Sequence, residues 1–422
     1  MVSEYLTGVY LPPMVKIRQL FEDNAMSAAD VRESLFSQLR TEEISNRIKP
    51  GMSVAVTVGS RGIDNISVIT KTIVDFVKER GAVPFIVPAM GSHGGATAKG
   101  QADLIAGYGI TEEAMGCGIR SSMETVVLGR AENGKPVYCD KHAAEADGII
   151  VCGRVKLHTA FRGPYESGIC KMMAVGLGKQ KGAEVLHENG FGLMKDEVPM
   201  FAKVFLEKAP ILMGIGLMEN AHDHTSRIEV VPPEHILKRE PELLIEAKSR
   251  MQRILFPGCD VLIVDRMGKN YSGDGMDPNV TGRFLTPHAS GGISAQKVVV
   301  LDLAEKSHGS AHGVGLADVT TRRLVNKIDY EKTYANTITT TLIHASRIPM
   351  TMENDRDAIA LALKSCHFID RNAPRVIRIP NTLDIAEIEI SESLLPEARS
   401  REAIQILGEP EPFAFDENGN LF

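Results

Sequence analysis

The chain has 422 residues, 43% of them hydrophobic and 24% charged, proportions that exclude a disordered, collagenous or coiled-coil protein. Lys plus Arg number 47 against 54 Asp plus Glu, a formal charge of -7, so no net positive field is available to neutralise a nucleic-acid backbone. No apolar run approaches the roughly 18 residues needed to span a bilayer and no basic leader opens the chain, which together predict a cytoplasmic protein with neither membrane nor nucleic-acid partner.

From Ser53 the pattern alternates between strand and helix. Val54, Val56 and Val58 mark a strand; Ile66, Ile69, Ile73 and Phe76 then recur at helical spacing until Gly81 supplies a stop. Pro84 to Pro88 reads as the next strand, the segment after Thr97 as a helix, and Thr125 to Tyr138 as a hairpin turning at Asn133-Gly134. Asp147 to Cys152 and Ile211 to Met218 are two further buried strands. A long amphipathic helix follows Pro241, with Leu244, Ala247, Met251 and Ile254 on one face, and ends before Pro257-Gly258. A second series starts at Asp260 to Val264 and continues through Lys297 to Leu303, a helix over Asp355 to Ser365, and strands at Arg375 to Ile379 and Ile385 to Ile390. The expected fold is therefore two α/β domains with mainly parallel sheets and a cleft between them, divided at 257/258.

Ligands of open α/β sheets collect beyond the carboxyl ends of the strands. Arg61 follows the strand ending at Val58, His93 follows the strand ending at Pro88, and His158 follows the strand ending at Cys152. Each alone is equally well a hydrogen-bonded loop residue. Together, two imidazoles able to act as acid and base near neutral pH and one guanidinium able to grip a carboxylate point to chemistry on a small carboxylic acid. The six cysteines form no CxxC pair and read as reduced, mostly buried thiols; the lack of Trp removes aromatic base-stacking platforms.

The glycine-rich stretch from Gly168 to Gly182, with Lys171, Lys179 and Lys181 and then His187, has the composition of a phosphate cradle. It is not a Walker A loop: Gln180 follows Lys179 where Ser or Thr is required. No GxGxxG follows a strand. His222-Asp223-His224 with His187 offers a zinc site for a metal-assisted hydrolase, against the plainer reading of a solvated turn.

The order Arg61, His93, His158, Lys171, His187 resembles the nickel-pincer-nucleotide lactate racemase family, over the whole chain, and this implies an N-terminal cofactor-binding domain over 1–257, rejoined by the tail 400–422, a substrate-facing domain over 258–399 and an active site in the cleft between them. The resemblance implies a nickel-pincer nucleotide (nickel pyridinium-3,5-bisthiocarboxylic acid mononucleotide) covalently attached at Lys171, with Lys179 as a further cofactor contact. It makes His187, sixteen residues after Lys171, the nickel ligand. His93 and His158 would be the catalytic acid/base pair and Arg61 a carboxylate ligand. The activity implied is racemisation or epimerisation at C2 of a 2-hydroxy acid by transient hydride transfer, in a protein dependent on cofactor-synthesis enzymes. Departures bear on the substrate. Val58 stands where the lactate racemase branch has Asp three residues before the Arg, the interval from His158 to Lys171 is longer, and no Trp is present. The polar segment Lys269 to Phe284 suits several hydroxyls, so the favoured substrate is a sugar acid of the gluconate/mannonate kind, with Arg283 or Lys269 as a second carboxylate ligand. The alternatives are a racemase of a small 2-hydroxy acid of lactate or malate type, and a non-catalytic sugar-acid-binding protein.

Overall fold

The structure, a computed structural model, describes residues 3–60 and 62–422. The chain divides into two compact units: Glu22–Met251, and the residues up to Phe21 together with Gln252–Phe422. Both are mixed α/β with mainly parallel sheets. Among the described residues no helix is long and apolar enough to cross a membrane.

β1 (Met14–Gln19) belongs to the second unit. The first unit contains β2 (Ser53–Val58), β3 (Val83–Pro88), β4 (Gly118–Ile119), β5 (Thr125–Arg130), β6 (Pro136–Asp140), β7 (Gly148–Arg154), β8 (Ile211–Glu219) and β9 (Thr225–Val231). Six of these form a sheet in the order β4-β3-β2-β7-β8-β9, parallel except for the β8–β9 pair; β5 and β6 make the expected separate hairpin, with Gly134 at φ +81° in its turn. Side chains alternate between the two faces of the central strands. Val54, Val56, Ile150 and Cys152 join one core with the helices Ala28–Leu39 and Ile66–Glu79, while Ala55, Ile149 and Val151 join another with Met194–Lys208 and Ile236–Arg250. Burial on both faces is why these strands read as nearly continuous apolar runs. The helix Ile66–Glu79 ends as its sequence requires, with Gly81 at φ +75° just beyond it.

Two elements differ from expectation. The helix placed after Pro241 begins earlier, at Ile236, and ends at Arg250, so that Pro241 lies inside it and Ile254 beyond it. Proline has no N–H to give the carbonyl four residues back, and that carbonyl, Leu237 O, instead accepts the Tyr165 hydroxyl. The glycine-rich stretch is no open loop. It is helical on both sides of a break: one turn at Ile169–Lys171 and π-helix over Met172–Leu177, then, past the turn at Gly178 and a Lys179 with φ +54°, α-helix over Lys179–His187.

The second unit adds β10 (Gly258–Met267), β11 (Ser294–Leu303), β12 (Val319–Thr321), β13 (Met350–Met352), β14 (Val376–Ile379), β15 (Glu387–Ser391) and β16 (Ile404–Ile406), in the order β13-β12-β11-β10-β14-β15-β1-β16. Strands β10 to β14 are parallel, and β15, β1 and β16 continue the sheet antiparallel. This corrects the expected division at 257/258 with the tail returning to the first domain. The break falls at 251/252, and the tail stays with the second unit because β16 pairs with β1 while Phe413, Phe415 and Leu421 pack on the core beside the helix Asp355–Ser365.

Candidate functional site

The loop after β3 is shaped by glycines. Gly91 has φ +59° and lies so close to the π-helical segment that a Cβ there would sit 3.2 Å from Val175 Cγ1; its N–H donates to Gly176 O at 3.2 Å. A Cβ on Gly94 would come within 2.7 Å of the Gln101 nitrogen, so the turn and the helix Ala98–Ala106 touch backbone to backbone. The buried Gln101 amide donates to Gly91 O and His93 O, at 2.9 and 3.2 Å. His93 is thereby presented at the surface with its Nδ1 hydrogen-bonded to the Ser60 hydroxyl, which joins the loops after β2 and β3. Arg61 lies outside the described residues.

His158 stands on the loop after β7, closed at its base by paired backbone hydrogen bonds between Lys156 and Ser167. Inside the loop the buried Glu166 carboxylate accepts from the His158 N–H at 2.7 Å, from Gly163 N–H at 3.3 Å and from Arg162 Nη1 at 3.2 Å. Burial pushes this carboxyl up, against the donors that hold it down. The Ala160 N–H donates to His158 Nδ1 at 3.0 Å. In the neutral ring that leaves the proton on Nε2.

Lys171 and His187 lie on the helical segments before and after the break. The His187 Nδ1–H donates to Ala183 O at 2.6 Å, one turn back on the same helix, which leaves the Nε2 lone pair as its free ligand atom. Part of the residue reaches solvent, yet crowding around the ring, together with the Lys171 ammonium, holds the imidazole below its usual pKa. Phe161 and Phe191 tie the group together. The Phe161 ring centroid is 4.6 Å from that of His158 and 6.0 Å from Lys171 Nζ; the Phe191 ring meets His187 edge-on at 5.6 Å and His158 at 6.1 Å. His158, Lys171 and His187 are thus brought together, and the His93 loop abuts the same π-helical segment through Gly91.

Lys179 does not join them, contrary to its expected cofactor contact. Its side chain is fully buried at φ +54°, its ammonium donating to Pro88 O at 2.6 Å and Gln101 Oε1 at 2.8 Å and facing Asp140 Oδ2 at 3.3 Å. It locks β3, the following helix and the end of β6 together. In the second unit, Lys269 follows the carboxyl end of β10, where its ammonium donates to Gly273 O at 2.5 Å. Arg283 is at the other end of the sheet: its Nη2 bonds Ala295 O and Gln296 O at the start of β11 and Asp318 Oδ2 at 2.9 Å. A guanidinium held at the amino end of a parallel strand is misplaced for substrate, which corrects the expectation for Arg283. The zinc reading also lacks its constellation. His222 and His224 lie in the turn between β8 and β9, their ring centroids 6.4 Å apart, and among the described residues no group of three or more His, Cys, Asp or Glu side chains assembles to hold a metal.

Sequence reasoning missed Phe161, Phe191, Ser60 and Glu240. The structure makes Glu166 and Arg162 scaffolding of the His158 loop, whereas Tyr165 reaches to the helix Ile236–Arg250.

Residues 8–194 match the lactate racemase N-terminal domain family, a stretch that includes His93, His158, Lys171 and His187. Among solved structures, the lactate racemase apoprotein from Thermoanaerobacterium thermosaccharolyticum is similar over 88% of this chain and 98% of its own, with a TM-score of 0.54 and 13% identity. A Thermotoga maritima protein of a structural genomics programme is similar over 83% of this chain and 94% of its own, with a TM-score of 0.50 and 11% identity. These likenesses show a shared fold. No curated protein matches the sequence.

Proposed function

We propose that this protein is an isomerase that inverts C2 of a 2-hydroxy acid, with a sugar acid of the gluconate/mannonate kind as substrate. The observation that carries the reading is the convergence of His158, Lys171 and His187 on Phe161 and Phe191, within the stretch that matches the lactate racemase N-terminal domain.

The residues fit a nickel-pincer nucleotide. His187 offers one imidazole nitrogen with its lone pair free and would hold the nickel of such a group through it. Lys171 is half-buried beside it, placed to carry a covalent tether. When bound, such a group supplies the acceptor for the C2 hydride, the step no side chain can perform.

The chain's own part is binding and proton transfer. With Nδ1 accepting from Ala160, the neutral His158 ring has its proton on Nε2, the atom assigned here to donate to the C2 oxygen. When His93 Nδ1 donates to Ser60, its Nε2 is the unprotonated nitrogen, assigned here to accept the hydroxyl proton. One donor and one acceptor are what inversion needs in one direction, with the roles exchanged for the other. Arg61 and Lys269 are the proposed carboxylate ligands, and the polar side chains of the loop after β10, among them Asn270, Ser272 and Asp274, suit the further hydroxyls of an aldonate.

The test is the intact mass of the protein co-produced with the cofactor-synthesis enzymes, beside Lys171→Ala. A nickel-containing adduct lost on substitution, with epimerisation of gluconate that keeps the C2 hydrogen in deuterated water, is the expected result. No adduct, where a lactate racemase control acquires one, overturns the cofactor reading; heavy deuterium uptake at C2 overturns the hydride route.

A further inference from the structure

The helix Ala98–Ala106 holds the loops after β2 and β3 by their backbones. Just beyond its end, the Tyr108 hydroxyl donates to Ser60 O at 2.7 Å. Near its start, the Gln101 amide donates to Gly91 O at 2.9 Å and to His93 O at 3.2 Å, its own oxygen being fixed by the Lys179 ammonium. Ser60 and His93 are thus each anchored through a main-chain oxygen, and their side chains meet: His93 Nδ1 is hydrogen-bonded to the Ser60 hydroxyl. His158 has a partner of another kind, because its Nδ1 accepts from the Ala160 N–H at 3.0 Å. A backbone N–H can only donate, so that contact requires an unprotonated Nδ1. A hydroxyl has one donor and two acceptor lone pairs, so the nitrogen facing Ser60 can carry a proton and keep its partner.

We infer that Ser60 is a positioning residue for His93: its hydroxyl accepts from Nδ1–H, which leaves Nε2 as the basic nitrogen and makes His93, of the two histidines, the one that takes the proton from substrate. Which ring nitrogen is protonated is set by the hydrogen bond that the other makes. With a fixed donor at both Nδ1 atoms, both neutral rings would present Nε2–H and neither could receive a proton. When the proton moves from the C2 hydroxyl to His93 Nε2, the ring becomes an imidazolium whose Nδ1–H still donates to Ser60, so the charge forms without the loss of a contact and that hydrogen bond is strengthened. His93 is exposed, and a single hydrogen bond there competes with water. The shared helix offsets that competition by ordering both partners in advance.

The inference rests on the isomerase reading, but its test uses the full chain without cofactor, so a missing nickel adduct leaves the readout untouched. Nitrogen NMR of histidine-labelled protein at about pH 8.5, where imidazoles are neutral, gives the ratio of Nδ1–H to Nε2–H for each ring, and the His93 signal is the one lost in His93→Gln. In the wild type His93 is expected to carry its proton mainly on Nδ1 and His158 on Nε2. Ser60→Ala keeps the main-chain oxygen that Tyr108 holds and removes only the hydroxyl, so the His93 ratio is expected to fall at least threefold while that of His158 stays within twofold; Ser60→Thr, which restores a hydroxyl, should bring the His93 ratio back to within twofold of the wild type. A wild-type His93 protonated mainly on Nε2, or the same ratio in Ser60→Ala, overturns the inference. If Ser60→Ala does not fold, the wild-type tautomer decides, because a proton on Nε2 is already fatal.

Discussion

Lys179 and Asp140 face one another with both side chains completely buried, the ammonium 3.3 Å from the carboxylate. Burial pushes the Asp140 carboxyl up and the Lys179 ammonium down, each held in its charged form mainly by the other. Removing one partner of such a pair costs about 3–5 kcal/mol, because the other stays buried and uncompensated. Lys179→Met is therefore expected to lower unfolding stability by that order in urea titrations, with much of the loss recovered in Lys179→Met/Asp140→Leu. If Lys179 instead served a phosphate, Lys179→Met would keep wild-type stability.

The His187 ring is oriented by its own helix, through Nδ1–H to Ala183 O. Nitrogen NMR of the imidazole should show the proton on Nδ1 in the neutral form. His187→Ala, folded like the wild type by circular dichroism, should retain less than a tenth of the nickel per chain in co-produced protein, since outer-shell changes alone cost about 10–100-fold in metal affinity. Wild-type nickel content in that variant would remove His187 from the site.

Glu166 concentrates three donors on one buried carboxylate in the His158 loop. Glu166→Ala leaves the His158 and Gly163 N–H groups and the Arg162 guanidinium to find other partners, at about 1–3 kcal/mol for each buried donor that finds none. The expected outcome is faster amide exchange across 156–167 and a fall in kcat of ten-fold or more with KM little changed, since substrate is gripped elsewhere. An unchanged exchange pattern would show that the backbone closure between Lys156 and Ser167 suffices.

The parts that sequence made legible are those whose signal is local. β2, β3 and β7 announce themselves by β-branched runs, the Ile66–Glu79 helix by its periodicity, and His93 and His158 by following strand ends. What escaped depends on pairs far apart in the chain. β1 and β16 are short and pair across more than 380 residues, so neither carries a pattern of its own. Glu240 caps a turn 70 residues away, and nothing near either residue signals the contact. The Gly168–Gly182 stretch misled for a different reason. Its glycines serve close packing, of Gly176 on Ala89 O and of Gly178 on Ala174 O, in a helix that tertiary contacts impose on a sequence of loop-like composition.

The Glu240 carboxyl titrates at about 7 in the folded protein against 4.5 in the unfolded chain. Below 4.5 it is protonated in both states and its burial is uncharged. Between 4.5 and about 7 the unfolded chain has released its proton while the folded protein retains it, so stability falls as pH rises through this window, and above it the cost is complete. At about 1.4 kcal/mol per pH unit, the window corresponds to roughly 3 kcal/mol. Glu240→Gln keeps an oxygen for the Cys170 N–H and cannot ionise. Its unfolding free energy should match the wild type within about 1 kcal/mol at pH 4.5, the scale of one hydrogen bond, and exceed it by roughly 2–3 kcal/mol at pH 8. Equal differences at the two pH values, measured by urea unfolding, would mean that the buried carboxylate finds compensation once ionised.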